Sequence, residues 1–90
     1  MAGIFTKDPD ADLDYEVNWT AWLGEDELVA SSWELVDGDV VIDSSSFTDK
    51  VARVWLSGGT ASTSAMVTNR ITTAGGRTDD RTITINVRER

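Results

Sequence analysis

Arg81-Thr82-Ile83-Thr84-Ile85-Asn86-Val87-Arg88 alternates without a break, with Ile83, Ile85 and Val87 on one side and Thr82, Thr84 and Asn86 on the other. Period-two alternation of β-branched residues marks a strand with one face in a core and the other in water. Residues 64–73 alternate in the same way, with Ala65, Val67 and Ile71 on one face. Between the two runs lies Ala74-Gly75-Gly76-Arg77-Thr78-Asp79-Asp80, a glycine-containing loop long enough to close an antiparallel hairpin. Upstream, residues 50–57 form a further candidate strand with Ala52, Val54 and Leu56 inward, broken at Gly58-Gly59-Thr60. Residues 28–35 and 39–43 read as strands joined through Asp37-Gly38, and residues 15–19 as the opening strand. No stretch repeats apolar residues at helical spacing over three turns. The chain is expected to be all-β, with six or seven short strands separated by turn signals and folded as a two-sheet antiparallel sandwich. Phase alone nominates Val17, Trp33, Val54, Leu56, Val67, Ile83, Ile85 and Val87 for its core.

Ninety residues suffice for one modest domain, here expected over residues 15–90. Cysteine and histidine are both absent, which removes disulfides, thiolate metal sites, the cysteine nucleophile and the usual general base. No cofactor is expected. The N-terminus lacks the basic and apolar regions of a signal peptide, and no apolar run is long enough to cross a bilayer as a helix. A net charge of −8 argues against nucleic acid as a principal ligand, since phosphate contacts need a concentrated basic surface.

The charges are divided along the chain. Residues 1–49 hold thirteen carboxylates against Lys7 alone, whereas residues 50–90 hold seven cations against Asp79, Asp80 and Glu89. Separate acidic and basic faces would favour contact with copies of the chain or with a charged partner. Interleaved halves would instead neutralise each other across strands. Asp8, Asp10, Asp12, Asp14 and Glu16 place an acid at every second position. An EF-hand loop beginning at Asp8 would need a glycine and a glutamate where Leu13 and Trp19 stand. The better reading of residues 1–14 is an extended acidic arm, loose in isolation and ordered against a neighbouring subunit through Ile4 and Phe5. Glu25-Asp26-Glu27 reads as a solvated loop. A catalytic carboxylate pair is disfavoured because a compact sandwich of this size leaves little chain for a cleft. Asn18-Trp19-Thr20 fits the glycosylation pattern by chance.

Four tryptophans need locations. Trp19 is in phase with Tyr15 and Val17, and Trp33 with Val29 and Leu35, which makes Trp33 the expected central core aromatic. Alternation puts Trp55 outside, between Arg53 and Ser57, and Trp22 stands at a strand end beside the acidic loop. Tryptophan and arginine are the residues most enriched at interface anchors. The expected interface therefore comprises Trp22 and Trp55, with a basic patch of Arg53, Arg70 and Arg77 converging on one sheet surface to meet an acidic partner.

Residues 68–73, Thr-Asn-Arg-Ile-Thr-Thr, with the glycine-containing loop and the closing strand, resemble the last two strands of immunoglobulin-like domains in bacterial and phage surface proteins. Met66 departs from the tyrosine often found in the penultimate strand of such domains. A narrower resemblance spans nearly the whole chain. It runs through Lys7-Asp8-Pro9-Asp10-Ala11, Leu13-Asp14-Tyr15, Asn18-Trp19, Trp22-Leu23, Ser31-Ser32-Trp33, Val54-Trp55-Leu56-Ser57-Gly58-Gly59-Thr60 and Gly76-Arg77. These pieces resemble a family of small proteins encoded among tailed-phage structural genes and labelled fibre–tail adaptors. The resemblance implies a small immunoglobulin-like sandwich without enzymatic activity. It also implies a virion component, assembled in the host cytoplasm, that bridges tail, fibre or capsid subunits. A capsid decoration protein and a carbohydrate-binding accessory module are the competing readings.

Overall fold

The computed structural model describes residues 4–89. Seven strands and one helical turn follow in the order β1 (Ile4–Lys7), β2 (Leu13–Asn18), α1 (Thr20–Leu23), β3 (Leu28–Asp37), β4 (Val40–Phe47), β5 (Val51–Gly58), β6 (Thr63–Thr73) and β7 (Thr78–Val87). One sheet has the order β1-β7-β6-β3 and the other β2-β5-β4. The expected hairpin forms, with Ala65 opposite Ile85 and Val67 opposite Ile83. The order β2-β5-β4 against β3-β6-β7 is that of an immunoglobulin constant-type sandwich. Its first strand departs from that pattern by joining the opposite sheet, where it runs parallel to β7. This parallel pair is the exception to the expected antiparallel architecture.

Period-two alternation fills the space between the sheets. Val17, Val54, Leu56, Val67, Ile83, Ile85 and Val87 are buried together with Tyr15, Leu28, Val40, Ala52, Ala65 and Ile71. Trp33 is not the central aromatic. It lies on β3, an edge strand, and is only partly buried, whereas Trp19 at the end of β2 is fully enclosed. Trp19 reaches this depth with its polar atom satisfied. Its indole N–H donates to Asn69 Oδ1 at 3.0 Å, and the Asn69 amide donates to Ser31 Oγ and the Ser32 carbonyl at 2.9 and 3.0 Å. The Arg81 guanidinium, from the inward side of β7, lies 4.2 Å from the Trp19 ring centre.

Two glycines let the strands change sheets and pack closely. Gly38, at φ 95°, carries the chain from β3 in one sheet to β4 in the other, and a Cβ there would stand 2.6 Å from that of Ala65. Gly59, at φ 100°, follows β5, and a Cβ there would meet Val87 at 2.9 Å.

Of the expected extended arm, Ile4–Lys7 is a strand built into the sandwich and Asp8–Ala11 a turn that leads into β2. Ile4–Lys7 pairs with Thr84–Val87, and the Lys7 carbonyl accepts from the Arg88 N–H. Phe5 stacks on Tyr15 with ring centres 5.1 Å apart, so it has a partner within the chain. Lys7 is 0% exposed, and its ammonium donates to the carbonyls of Asp8 and Gly58 at 2.8 and 2.7 Å. That lysine joins the end of β1 to the end of β5, in the other sheet. Residues 1–3 of the expected arm, and Arg90, lie outside the described residues.

Candidate interaction surfaces

Alternation directs one row of each strand outward, and the two sheets present different outer faces. On the β2-β5-β4 sheet, Trp55 stands between Asp14 and Ser44, and Arg53 between Glu16 and Ser46. Trp55 is 39% exposed. Arg53 is held by Glu16 at 2.9 Å and by Asp14 at 3.4 Å. The hydrogen bond and charge of Glu16 raise the Arg53 pKa further above its usual value. On the other sheet, the outer row of β6 and β7 is mostly hydroxyl-bearing. Thr68 and Thr82 share a hydrogen bond at 2.8 Å, and Arg70 pairs with Asp80 at 3.0 Å. Met66 also faces outward and is partly exposed.

The expected basic patch does not form. Arg53 and Trp55 share a face as their i, i+2 spacing required, but Arg70 belongs to the other sheet. Spacing within a strand was legible; the assignment of neighbouring sequence segments to different sheets was not. Arg77 lies apart from both, in the β6–β7 loop at one end of the sandwich, where its guanidinium meets α1 and the loop that follows it. It pairs with Asp26 at 3.2 Å, donates to the Leu23 carbonyl at 3.1 Å and lies 4.3 Å from the Trp22 ring centre. Trp22, on α1, is therefore partly buried between Arg77 and the edge of Trp19, 5.3 Å away. Of the apolar pair expected to anchor the arm, Phe5 packs on the core while Ile4 remains 73% exposed on the free edge strand β1.

Asp26 organises that end of the molecule. The side chain of Thr73, the backbone N–H groups of Glu27 and Gly75, and Arg77 together hold its carboxyl down at about 2, against a desolvation effect that acts the other way. Lys50 adds hydrogen bonds from its ammonium to the carbonyls of Gly24 and Asp26. Three of the four ion pairs among the described residues, those of Arg53 and Arg77, join the acidic first half to the basic second half. The halves are thus interleaved rather than segregated onto separate faces.

An open recess of about 420 Å³ is lined by Asp8, Asp10, Ala11 and Leu13. Among the described residues, no three acids come together to hold a metal ion.

The family model described as Podophage GP4 fiber-tail adaptor protein gp77 matches residues 7–86. The chain belongs to that family. It is a structural phage protein of the adaptor class, and the family description places its interactions with other tail and fibre proteins. A comparison with curated proteins found no match. The outer faces thus carry an outward Trp55 with flanking acids, and each sheet ends in strands with a ladder on one side only. Alternation in the sequence put Trp55 on an outer face, whereas the acids beside it emerge only from the pairing of β2 with β5. Sequence reasoning missed Lys7, whose buried phase opposite Val87 becomes visible only once β1 is known to pair with β7.

Proposed function

We propose that this chain is a non-enzymatic bridge that joins tail and fibre subunits in the virion through surfaces on opposite sides of one sandwich. The observation that carries the reading is that two sheet faces of different chemistry point away from each other across a body of 41 × 21 × 19 Å. One face centres on an exposed tryptophan among acids, the other on a threonine-rich surface. A single small domain with two unlike faces can hold two unlike neighbours, and membership of the adaptor family supports tail and fibre as those neighbours. In this reading Trp55 is the apolar anchor of one contact, because an aromatic ring set among polar groups suits a contact that buries the ring and leaves its rim wet.

Imaging of particles made without the chain tests the proposal. Tails without fibres, restored by adding the purified protein, are the expected result. Heads that lose a surface layer while keeping their fibres would make it a capsid decoration protein. Fibres in place with weakened attachment to host glycans would make Trp55 part of a sugar platform, an accessory binding role.

A further inference from the structure

The two long sides of the sandwich are finished differently. On one side the edge strands are β1 and β2. Phe5 stacked on Tyr15, the Tyr15 hydroxyl donating to the Thr6 carbonyl, and buried Lys7 close the gap between them. On the other side the edge strands are β3 and β4, which are joined through Gly38 and lie in contact with each other. There, five side chains point inward by register: Trp33 opposite Asn69, Leu35 opposite Val67, Ile42 opposite Leu56, Ser45 opposite Val54 and Phe47 opposite Ala52. Each ladder partner is 0% exposed, yet Leu35 is 37% and Phe47 42% exposed. Burial is thus incomplete at the edge strands, as it also is for Leu13 of β2 opposite Leu56, and on the β3–β4 side Leu35 and Phe47 leave an apolar seam.

Three further observations bear on what fills it. First, β3 pairs only with β6 and β4 only with β5, so each leaves one side of its backbone without a ladder partner. Register shifts bracket residues 30–35 of β3, which makes that the regular stretch open to an added strand. Second, the indole N–H of Trp33 is enclosed without an acceptor, a condition few native side chains tolerate. Third, residues 28–47 contain Glu34, Asp37, Asp39 and Asp43 and no lysine or arginine. Asp39 is engaged by Thr60, but among the described residues no ion pair forms on Glu34, Asp37 or Asp43. A second copy of the chain would bring the same acids to the same seam, so self-pairing there is opposed by charge.

We propose that this seam is a docking groove for an extended segment of a tail or fibre protein bearing lysine or arginine. The segment adds a strand beside β3 at residues 30–35 and covers Leu35, Phe47 and the partly buried Trp33. Main-chain hydrogen bonds along the edge supply affinity, and the apolar seam reads alternate side chains of the incoming strand. The surrounding carboxylates favour its basic residues and discriminate against acidic competitors. The choice of tail or fibre as the source of the strand rests on the adaptor reading above.

The absence of cysteine makes the test direct. Leu35→Cys, carrying a maleimide photo-crosslinker, is assembled into particles, with Thr84→Cys on the outer face of the opposite edge region as a comparison. The expected result is a crosslink from position 35 to a lysine- or arginine-bearing segment of a tail or fibre protein. Leu35→Lys with Phe47→Lys should also lower the number of copies per particle roughly tenfold or more, with the isolated domain melting as a single transition. Should that double variant fail to fold, the crosslink still decides. A crosslink to another copy, to an acidic segment, or to nothing in particles carrying the normal copy number would overturn the proposal. A crosslink to a basic capsid segment would leave the seam standing and remove the adaptor reading. Fibreless particles in the chain's absence, with no crosslink from position 35, would do the reverse.

Discussion

Asp26 takes hydrogen bonds from Thr73, Glu27, Gly75 and Arg77 at one end of the sandwich, and its pKa of about 2 against a usual 3.8 makes that end sensitive to acid. A carboxyl whose folded pKa is lowered stabilises the fold above the unfolded pKa, and that contribution disappears as pH falls through the folded one. The window here runs from 3.8 down to about 2. Asp26→Asn should therefore lie below the parent chain in denaturation midpoint at neutral pH, with the two converging across that window. Parallel pH profiles would show that Asp26 is not the acid-sensitive group. In the core, Ile85 is fully buried between Phe5 on one side and Ala65 on the other in the β1-β7-β6 ladders. Ile85→Ala should cost about 2–5 kcal/mol, a large share of the ~5–15 kcal/mol that holds a domain of this kind together. An unmoved urea midpoint would contradict the register of β7.

Among the elements, β1 depends on a few side chains, because it is four residues long and only its β7 side has a ladder. Its inward residues, Phe5 and Lys7, contact Tyr15 and Gly58 in the opposite sheet. Lys7→Ala removes the link from β1 to the end of β5. It should raise amide exchange in β1 roughly tenfold while the amides at the centre of β6 hold their protection. Equal loosening of both strands would mean that Lys7 supports the whole fold rather than this strand. The same element shows where sequence reading stops. The acids between Asp8 and Glu16 pointed to an extended segment; Ile4–Lys7 and the stretch from Leu13 are extended, but Asp8–Ala11 between them forms a turn. Extension says nothing of what lies alongside, and pairing with β7 joins residues some eighty positions apart. Strands β5, β6 and β7 were legible because inward valine, leucine and isoleucine repeat at period two with glycine at the breaks. Trp33 was in phase and still not central. Phase gives the face of a strand, and Trp33's burial was set by the position of β3 at a sheet edge.

At the scale of the molecule, the interleaving of the halves neutralises Arg53 and Arg77, and Asp80 of its own half neutralises Arg70, so the net charge of −8 is expressed at the surface as acid. This changes what the proposed Trp55 contact should meet. Arg53 is flanked by Asp14 and Glu16, and the Trp55 face is a tryptophan with an acidic border rather than a basic patch. A partner for such a face should itself carry cations. Replacing Trp55 and replacing Arg53 then have different consequences. Trp55→Ser removes the anchor and should lower incorporation into particles by roughly tenfold or more while the isolated domain stays folded. Arg53→Ser removes two solvent-screened ion pairs that contribute little to stability and releases Asp14 and Glu16 toward the partner. Its incorporation should hold or rise, and the gain should shrink as salt screens the freed carboxylates. Quantifying both variants in purified particles at low and high salt checks the argument. Loss of incorporation with Arg53→Ser would mean that the partner reads the arginine itself, and that the acids beside it serve only to hold it in place.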